Sequence, residues 1–322
     1  MVFRKSNIAV LAAAFATGGA LGQAAYPTKP VRIIVPYSAG GPADIYARFV
    51  GDRLQKQTGQ PFVVENRPGA GAIIGTDAVA KSAPDGYTLL MMSNTHTVNE
   101  SLITNKPYSL LRDLAPIAPV NYSDLILVVH PSVPASNLKE LIALTKSKPG
   151  ALNYASSGPG TPYHMAGELF KAMAGIDVVH VPHKGSAEAR TSVLAGNVQM
   201  MFDAITTMAP LAQAGKVRAI ATSGKTRSSI TPNVPTLSEA GLPGYDAVIW
   251  LGMMAPAGTP KAVIDTLNAD IQKIAMSPDV KEAWAKQGAV PMHMSADDFG
   301  KFMEQDIQKW AKVVKFSGAK VD

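Results

Sequence analysis

The chain has 322 residues, 47% of them hydrophobic and 17% charged, which suits a globular protein long enough for two domains. It contains no cysteine, and this excludes disulfides, thiolate nucleophiles, cysteine-based zinc sites and a lipid-anchoring cysteine. The formal charge is +6, but lysines and arginines are scattered, without the basic runs that are typical of nucleic-acid binding.

The first residues have the pattern of a secretory signal peptide. Arg4 and Lys5 give a positively charged start, and Ile8–Leu21 is an unbroken run of apolar and small residues. This run is shorter than the ~20 residues that span a bilayer, which argues against a membrane anchor. We expect residues 1–24 to be removed by cleavage after Ala24, which places the mature protein in the periplasm.

Short apolar strands then alternate with amphipathic helices. The first part of the chain predicts strands at Val31–Val35, Phe62–Glu65 and Thr88–Met92, with helices starting at Pro42 and near Gly75. The same alternation continues to about residue 221, followed by an apolar strand at Val248–Met254 and a mainly helical end. This β-α-β pattern predicts an α/β fold with mostly parallel sheets.

This pattern predicts two halves that are not separated by a long flexible linker. Domains joined in that way are often connected by strands that cross between them, which creates a hinge and a cleft where a ligand can bind. We therefore expect domain 1 to comprise residues 25–125 and 249–322, and domain 2 to comprise residues 126–248.

Three loops between a strand and a helix are candidates for binding an anion. Pro36–Asp44 contains two glycines that can present backbone amides at a helix start, although a tight turn without a ligand explains them equally well. Asp44 itself is also explained as a carboxylate that complements the helix dipole. Ser156–His164 offers three hydroxyls, and His183–Ser186 contains Lys184, which is either a countercharge or an ordinary surface lysine.

Most enzyme motifs are absent or incomplete. Gly69–Gly71 has the wrong spacing for a dinucleotide-binding fingerprint, and Ala219–Thr226 lacks the first glycine of a phosphate-binding P-loop. His180 and His183 are expected to diverge around a strand end, and the chain has neither a G-x-S-x-G nor an H-E-x-x-H motif. A pair of catalytic carboxylates stays open, because sequence alone cannot bring two of them together.

A set of motifs, in order along nearly all of the mature chain, resembles the extracytoplasmic receptors of tripartite tricarboxylate transporters, also called Bug receptors. The first three are VPYSAGGPAD at Val35–Asp44, VENRPGAG at Val64–Gly71 and PDGYTLL at Pro84–Leu90. The others are NYASSG at Asn153–Gly158, HMAGELF at His164–Phe170, Phe202-Asp203, VPT at Val234–Thr236, EAG at Glu239–Gly241 and PGY at Pro243–Tyr245.

The resemblance implies a two-domain periplasmic-binding-protein fold of the Venus-flytrap type, with a hinge and an interdomain cleft. It implies a receptor, not an enzyme, that binds a small organic carboxylate and delivers it to a membrane permease. The ligand classes in this family are dicarboxylates, tricarboxylates, amino acids and aromatic acids. No cofactor, metal or nucleic acid is implied, and we expect a monomer.

Two groups of binding residues are implied by the same resemblance. The first domain is expected to contribute Tyr37, Ser38, Gly40, Gly41 and Asp44, with Ser93 and Thr95 near the distal part of the ligand. The second domain is expected to contribute Ser156, Ser157, Gly158, Thr161, His164, Lys184, Gly185 and Asp203.

Two positions depart from the family pattern, so the pocket around the distal part of the ligand can differ from that of other family members. His183 stands where tyrosine is usual before Lys-Gly, and Tyr37 stands where phenylalanine is common. Two other classes of function also stay open. A sensor that reports the same ligand to a signalling partner would share the site, whereas an enzyme would need a positioned acid, base or nucleophile in the cleft.

Overall fold

The computed structural model describes Met1 and residues 26–319. The predicted signal peptide therefore lies, apart from Met1, outside the described residues. Among residues 26–319, no helix is both long enough and apolar enough to cross a membrane.

Ten strands and eleven α-helices, with one 3₁₀ turn at Ala70–Ala72, make up this described part of the chain. The strands are β1 Val31–Val35, β2 Phe62–Asn66, β3 Thr88–Ser93, β4 Leu114–Val129, β5 Asn153–Ser156, β6 Val179–Pro182, β7 Met200–Ala204, β8 Arg218–Thr222, β9 Val248–Pro256 and β10 Ala289–Pro291. The helices are α1 Pro42–Thr58, α2 Ile73–Ala80, α3 Thr95–Leu102, α4 Leu110–Asp113, α5 Leu138–Ser147, α6 Pro162–Ala174, α7 Ser186–Leu194, α8 Ile205–Gln213, α9 Lys261–Ala275, α10 Pro278–Ala285 and α11 Ala296–Ser317.

Lobe 1 is built on a sheet in the order β2-β1-β3-β9-β4, with β10 also paired to β4. β1 runs parallel to both β2 and β3, and β9 runs antiparallel to β3 and β4. The two faces of β1 pack into two different hydrophobic clusters, Ile33 with helix α1 on one side and Ile34 on the other. Burial on both faces explains why this strand is a nearly continuous apolar run in the sequence.

Lobe 2 contains the second part of the sheet. β5 lies in parallel between β6 and β7, while β7 and β8 each pair antiparallel with the end of β4. Its largest core includes Tyr154, Phe170 and Phe202, all fully buried.

Strand β4 belongs to both lobes. Residues 114–124 pair with β9, and residues 125–129 pair with β7. The pairing of β4 with β9 shifts register after Pro116 and after Pro119, because a proline cannot donate a ladder hydrogen bond. β4 is therefore one strand of 16 residues that both lobes share.

The prediction of mostly parallel sheets is wrong for the centre of the molecule. The outer strands are parallel, as β-α-β units require, but every pair that contains β4 or β9 is antiparallel. These two strands connect the lobes and are not part of a β-α-β repeat. The alternation of strands and helices in the sequence therefore could not predict whether they pair in parallel or antiparallel.

Helix α11 packs against both lobes. Phe299 and Met303, near its start, belong to a lobe 1 cluster, whereas Trp310 belongs to the core of lobe 2. It begins with a side-chain N-cap, in which Ser295 Oγ accepts a hydrogen bond from the amide of Asp298 at 3.1 Å. The C-terminal helix thus forms a third connection between the lobes, beside β4 and β9.

Candidate functional site

The cleft between the lobes encloses a cavity of about 30 Å³, room for about one or two water molecules. It is bordered by residues of both lobes and by the connecting strand β9, and the residues that the structure places around it carry no formal charge. They are Tyr37, Ser38, Gly41, Pro42, Ala43, Ser93, Ser157, Pro162, Tyr163, Gly185, Ser186, Ile249 and Leu251.

Three helices begin at this cavity. Its walls include Gly41, the N-cap of α1, then Pro162 in the first turn of α6, and Gly185, the N-cap of α7. Helix N-termini carry partial positive charge and unpaired amides, so each of them favours a negative group. Three of them around one cavity make a site for an anion without any cationic side chain in its wall.

The two lobes touch each other beside the cavity. Ser38 Oγ of lobe 1 donates a hydrogen bond to the carbonyl oxygen of Lys184 in lobe 2 at 3.2 Å. A Cβ atom added to Gly41 would lie 2.9 Å from Ser186 Oγ, and one added to Gly185 would lie 2.7 Å from Ser38 Cβ. Glycine at these two positions is therefore what allows the lobes to close this far.

A chain of hydroxyl groups forms the lobe 1 wall. The hydroxyl of Tyr37 lies 2.7 Å from Ser93 Oγ, and Ser93 Oγ donates to Thr95 Oγ1 at 3.0 Å. Burial raises the pKa of Tyr37 to about 12, against the opposing effect of its hydrogen bonds with Ser93 and Thr95. Tyr37 therefore presents a neutral hydroxyl group at physiological pH. Thr95 hydrogen-bonds Ser93 and does not itself line the cavity.

The side chain of Asp44 already binds one of the backbone amides that the sequence analysis proposed for an anionic ligand, that of Gly40. Its Oδ2 accepts from the amide of Gly40 at 3.0 Å, and its Oδ1 accepts from Arg48 Nε at 3.0 Å. Burial acts to raise the pKa of Asp44, but hydrogen bonds from Arg48, Gly40 and Asn66 outweigh it and lower the pKa. Asp44 and Gly40 therefore hold the loop in shape and do not line the cavity.

The loop before α6 is held mainly by its own side chains. Thr161 Oγ1 donates to the carbonyl of Gly158 at 2.7 Å, and Ser156 Oγ accepts from the amide of Gly158 at 3.1 Å. His164 Nδ1 accepts from the amide of Gly160 at 3.1 Å. Of the predicted residues in this loop, Ser157 alone lines the cavity.

Two imidazoles stack beneath this loop. The rings of His164 and His180 lie 4.2 Å apart between centroids, and His180 Nε2 is 2.6 Å from Ser156 Oγ. Burial lowers the pKa of His164 to about 4 and that of His180 to about 3, so both are neutral near pH 7. They support the loop from behind, and sequence reasoning did not assign His180 this role.

The third loop contributes backbone more than side chain. Lys184 is exposed, and its amide donates to Glu188 Oε2 at 3.1 Å, so its ammonium group is not part of the cavity wall. His183 is partly buried, and its Nδ1 lies 3.1 Å from the carbonyl oxygen of Val181. Gly185 does line the cavity, next to Ser186, which the sequence analysis did not select.

Asp203 lies behind the lobe 2 wall in an ion pair. Its side chain is fully buried, and its Oδ2 accepts from Arg190 Nε at 2.7 Å. Burial raises the pKa of this carboxyl, and Arg190, the amide of Ala204 and Thr207 oppose the rise. The sequence analysis did not select Arg190, because an isolated arginine in a sequence gives no sign that it pairs with a buried carboxylate.

The structure brings six of the fifteen predicted site residues to the cavity, namely Tyr37, Ser38, Gly41, Ser93, Ser157 and Gly185. Those that it places behind the wall or outside it are Gly40, Asp44, Thr95, Ser156, Gly158, Thr161, His164, Lys184 and Asp203. Most of the lining residues that were missed lie within the predicted loops, as Tyr163 and Ser186 do. Their position close to the start of a helix was the sequence feature that could have identified them.

No group of three or more acidic or histidine side chains in residues 26–319 is arranged to hold a metal ion.

Comparison with protein families gives a match over most of the chain. Residues 46–318 match the sequence profile of the family described as tripartite tricarboxylate transporter family receptor. Protein BugT of Bordetella pertussis is 40% identical over 298 residues, which are 92% of this chain and 91% of BugT.

Solved structures share the fold along nearly the whole length. An R. palustris protein solved with adipate has a TM-score of 0.89 and 32% identity, covering 92% of this chain and 100% of that one. MatC from Rhodopseudomonas palustris with bound malate has a TM-score of 0.86 and 30% identity, covering 90% of this chain and 100% of that one.

Proposed function

The chain belongs to the tripartite tricarboxylate transporter receptor family, and from that premise we propose that it captures a small organic carboxylate between its lobes. The members of this family are substrate-binding receptors, so the chain is a receptor and not an enzyme. We propose further that it works in the periplasm after cleavage behind Ala24, and that as a monomer it delivers its ligand to a membrane permease.

The convergence of three helix N-termini on one uncharged cavity carries the proposal. A carboxylate placed there meets the positive ends of α1, α6 and α7, together with hydroxyls of Ser38, Ser157 and Ser186. Neutral donors of this kind can bind a carboxylate through charge-assisted hydrogen bonds. No bond needs to be made or broken for that role.

Closure of the lobes explains how binding would be signalled. Ser38 Oγ of lobe 1 already contacts the carbonyl oxygen of Lys184 in lobe 2 at 3.2 Å, so we propose that a ligand enters while the lobes are further apart. A ligand that contacts both lobes binds the closed arrangement better than the open one and shifts the population toward it. The closed arrangement is then the form that a permease can recognise.

Ligand class is proposed from the cavity and from the relatives. Ile249 and Leu251 give the floor two apolar side chains from β9, which suits the carbon chain of an acid. Two similar proteins were solved with adipate and malate, which are both dicarboxylates. A dicarboxylate is therefore the first candidate, ahead of tricarboxylates, acidic amino acids and aromatic acids.

The test is a thermal-shift screen of ligand-free mature protein against these classes of acid. A ligand that binds only the folded state, at 100 times its Kd, adds about 2.7 kcal/mol to the free energy of unfolding. We expect a saturable rise of several degrees in Tm with one class of acid, and a smaller rise at the same concentration for Ser157→Ala.

Ser147→Ala is the matched control, because Ser147 lies exposed at the end of α5 in the same lobe. It should reproduce the wild-type shift. If folded, ligand-free protein gives no shift with any acid, the proposal is wrong.

A further inference from the structure

The hydroxyl of Tyr37 lies where the lobe 1 wall meets the floor of the cavity. Tyr37 and Ser93 both line the cavity, and Tyr37 is only partly buried. Ser93 stands directly opposite Leu251 in the antiparallel pair of β3 and β9, so these two side chains project from the same face of the sheet. Leu251 lines the cavity as well, which places Ser93 Oγ, and the Tyr37 hydroxyl 2.7 Å from it, on the cleft side.

Hydrogen bonds within the wall fix which of these hydroxyl groups donates. Ser93 Oγ donates to Thr95 Oγ1 at 3.0 Å and accepts from the amide of Thr95 at 3.2 Å. A serine hydroxyl has a single proton, so the 2.7 Å hydrogen bond between Tyr37 and Ser93 is donated by Tyr37. The proton of Tyr37 is therefore used within the wall, and its oxygen remains as an acceptor.

Thr95 competes for this acceptor only in part. Its hydroxyl is close enough to lower the pKa of Tyr37, against the larger effect of burial. A phenolic oxygen has two lone pairs, and the single proton of Thr95 Oγ1 can bind only one of them. At least one lone pair of Tyr37 is therefore left for a group in the cleft.

An acceptor at this point favours some ligand groups over others. An ionised second carboxylate has only acceptors to offer, so it could not hydrogen-bond the Tyr37 oxygen. An ammonium group could donate, but the residues around the cavity carry no formal charge, and three helix N-termini turn their positive ends toward it. A buried charge without a partner is costly, whereas a hydroxyl group donates without that cost.

We propose that the ligand is a hydroxycarboxylate, and that the Tyr37 oxygen selects it by accepting a hydrogen bond from its hydroxyl group. This inference rests on the proposed function, in which the three helix N-termini hold a carboxylate of the same ligand. Tyr37 is the specificity-determining residue, since its oxygen touches the group that distinguishes a hydroxy acid from its parent acid. Ser93 is a positioning residue, because it accepts the Tyr37 proton.

The expected preference is moderate in size. One hydrogen bond between neutral groups changes an equilibrium constant by a net factor of about two to ten. A ligand without the hydroxyl group would also leave the Tyr37 oxygen without its donor in the closed cleft, which adds to the difference. We therefore expect the hydroxy acid to bind at least about fivefold more tightly than the parent acid.

Calorimetric titration with two matched triplets of acids tests this. Succinate, malate and aspartate differ only in carrying a hydrogen, a hydroxyl or an amino group on one carbon, and glutarate, 2-hydroxyglutarate and glutamate form the second triplet. The chiral acids are used as separate enantiomers, because Tyr37 lies on one side of the cavity. In at least one triplet, the wild type should bind one hydroxy enantiomer at least about fivefold more tightly than both the parent acid and the amino acid.

Tyr37→Phe removes only the hydroxyl and keeps the ring that packs against His96. In this variant the preference for the hydroxy acid over the parent acid should fall below about twofold, while the Kd of the parent acid changes by less than about threefold. Tyr87→Phe is the matched control, because it removes a lobe 1 hydroxyl that accepts from the amide of Thr28 and does not line the cavity. It should keep the wild-type ratio.

Failure of this inference is distinguishable from failure of the proposed function. If the parent or the amino acid binds as tightly as the hydroxy acid in both triplets, or if the preference survives in folded Tyr37→Phe, the role of Tyr37 is overturned and the receptor role stands. If the folded, ligand-free wild type binds no acid of either triplet, both this inference and the proposed dicarboxylate class are wrong.

Discussion

At the scale of single residues, His96 shows how the lobe 1 wall is supported. It is fully buried, its Nε2 lies 2.9 Å from Thr76 Oγ1, and its Nδ1 lies 2.9 Å from the carbonyl oxygen of Ser93. Its ring also packs edge-on against Tyr37 with centroids 6.3 Å apart. Burial lowers the pKa of His96 to about 4, and the Ser93 carbonyl opposes the shift only in part.

This buried histidine predicts a loss of stability in acid. Between about pH 6.5 and pH 4 the unfolded chain binds a proton at His96 and the folded chain does not, so the free energy of unfolding falls as the pH falls. From pH 7 to pH 4.5 the loss from this residue is about 2 kcal/mol. Urea unfolding of the wild type and of His96→Gln at both pH values should show a pH dependence smaller by that amount in the variant.

Other groups titrate in the same range, so the difference between the two proteins is the informative quantity. Asp124 acts with the opposite sign, because burial and the nearby Asp246 raise its pKa to about 6 and its protonation in the folded state stabilises that state as pH falls. His293→Gln, at an exposed histidine, is the matched control. A dependence in His96→Gln equal to that of the wild type would contradict the assignment.

Residue roles in the site could be predicted from the sequence only in part. Gly41 and Gly185, both in the predicted loops, line the cavity in the structure, because a helix start after a strand fixes their position. The loop motifs did not separate residues that face the cavity from residues that hold the loop, such as Asp44 and Thr161. That distinction depends on which amide each side chain binds, and a hydrogen-bond partner is not visible in a linear motif.

At the scale of elements, β4 is the part that sequence patterns reported least well. The segment from Leu114 to Val120 contains Pro116 and Pro119, and proline inside an apolar run argues against a strand. In the fold, the register shifts beside both prolines let the strand continue, and it pairs on to Val129. The outer strands, such as β1 and β3, were predicted almost to the residue because each is a buried apolar run.

Helix α11 predicts a measurable contribution of the C-terminus to lobe 2. Trp310 is 1% exposed within the lobe 2 core, so Trp310→Ala should lower the free energy of unfolding by roughly 3–5 kcal/mol. Phe316, on the same helix, is 67% exposed, and Phe316→Ala should change it by less than about 0.5 kcal/mol. Urea denaturation measures both. Equal, small effects would show that the end of α11 does not pack on lobe 2.

At the scale of the whole molecule, three elements connect the two lobes, namely β4, β9 and α11. Together they let lobe 1 and lobe 2 meet at the glycines of the cleft. Gly41 has φ −90° and Gly185 has φ −175°, conformations that other residues adopt without strain. A side chain at either position would therefore interfere with closure and not with the local backbone.

The central claim is that a carboxylate binds between the lobes and is held by their closure. Calorimetric titration of the ligand-free mature protein with its best acid, in the wild type, Gly185→Ala and Gly300→Ala, tests it most directly. A Cβ at Gly185 would lie 2.7 Å from Ser38 Cβ of the other lobe, whereas one at Gly300 makes only an ordinary contact at 3.5 Å.

We predict one binding site per chain in the wild type, the same Kd in Gly300→Ala, and binding at least tenfold weaker in Gly185→Ala with an unchanged free energy of unfolding. Wild-type affinity in Gly185→Ala would contradict the account.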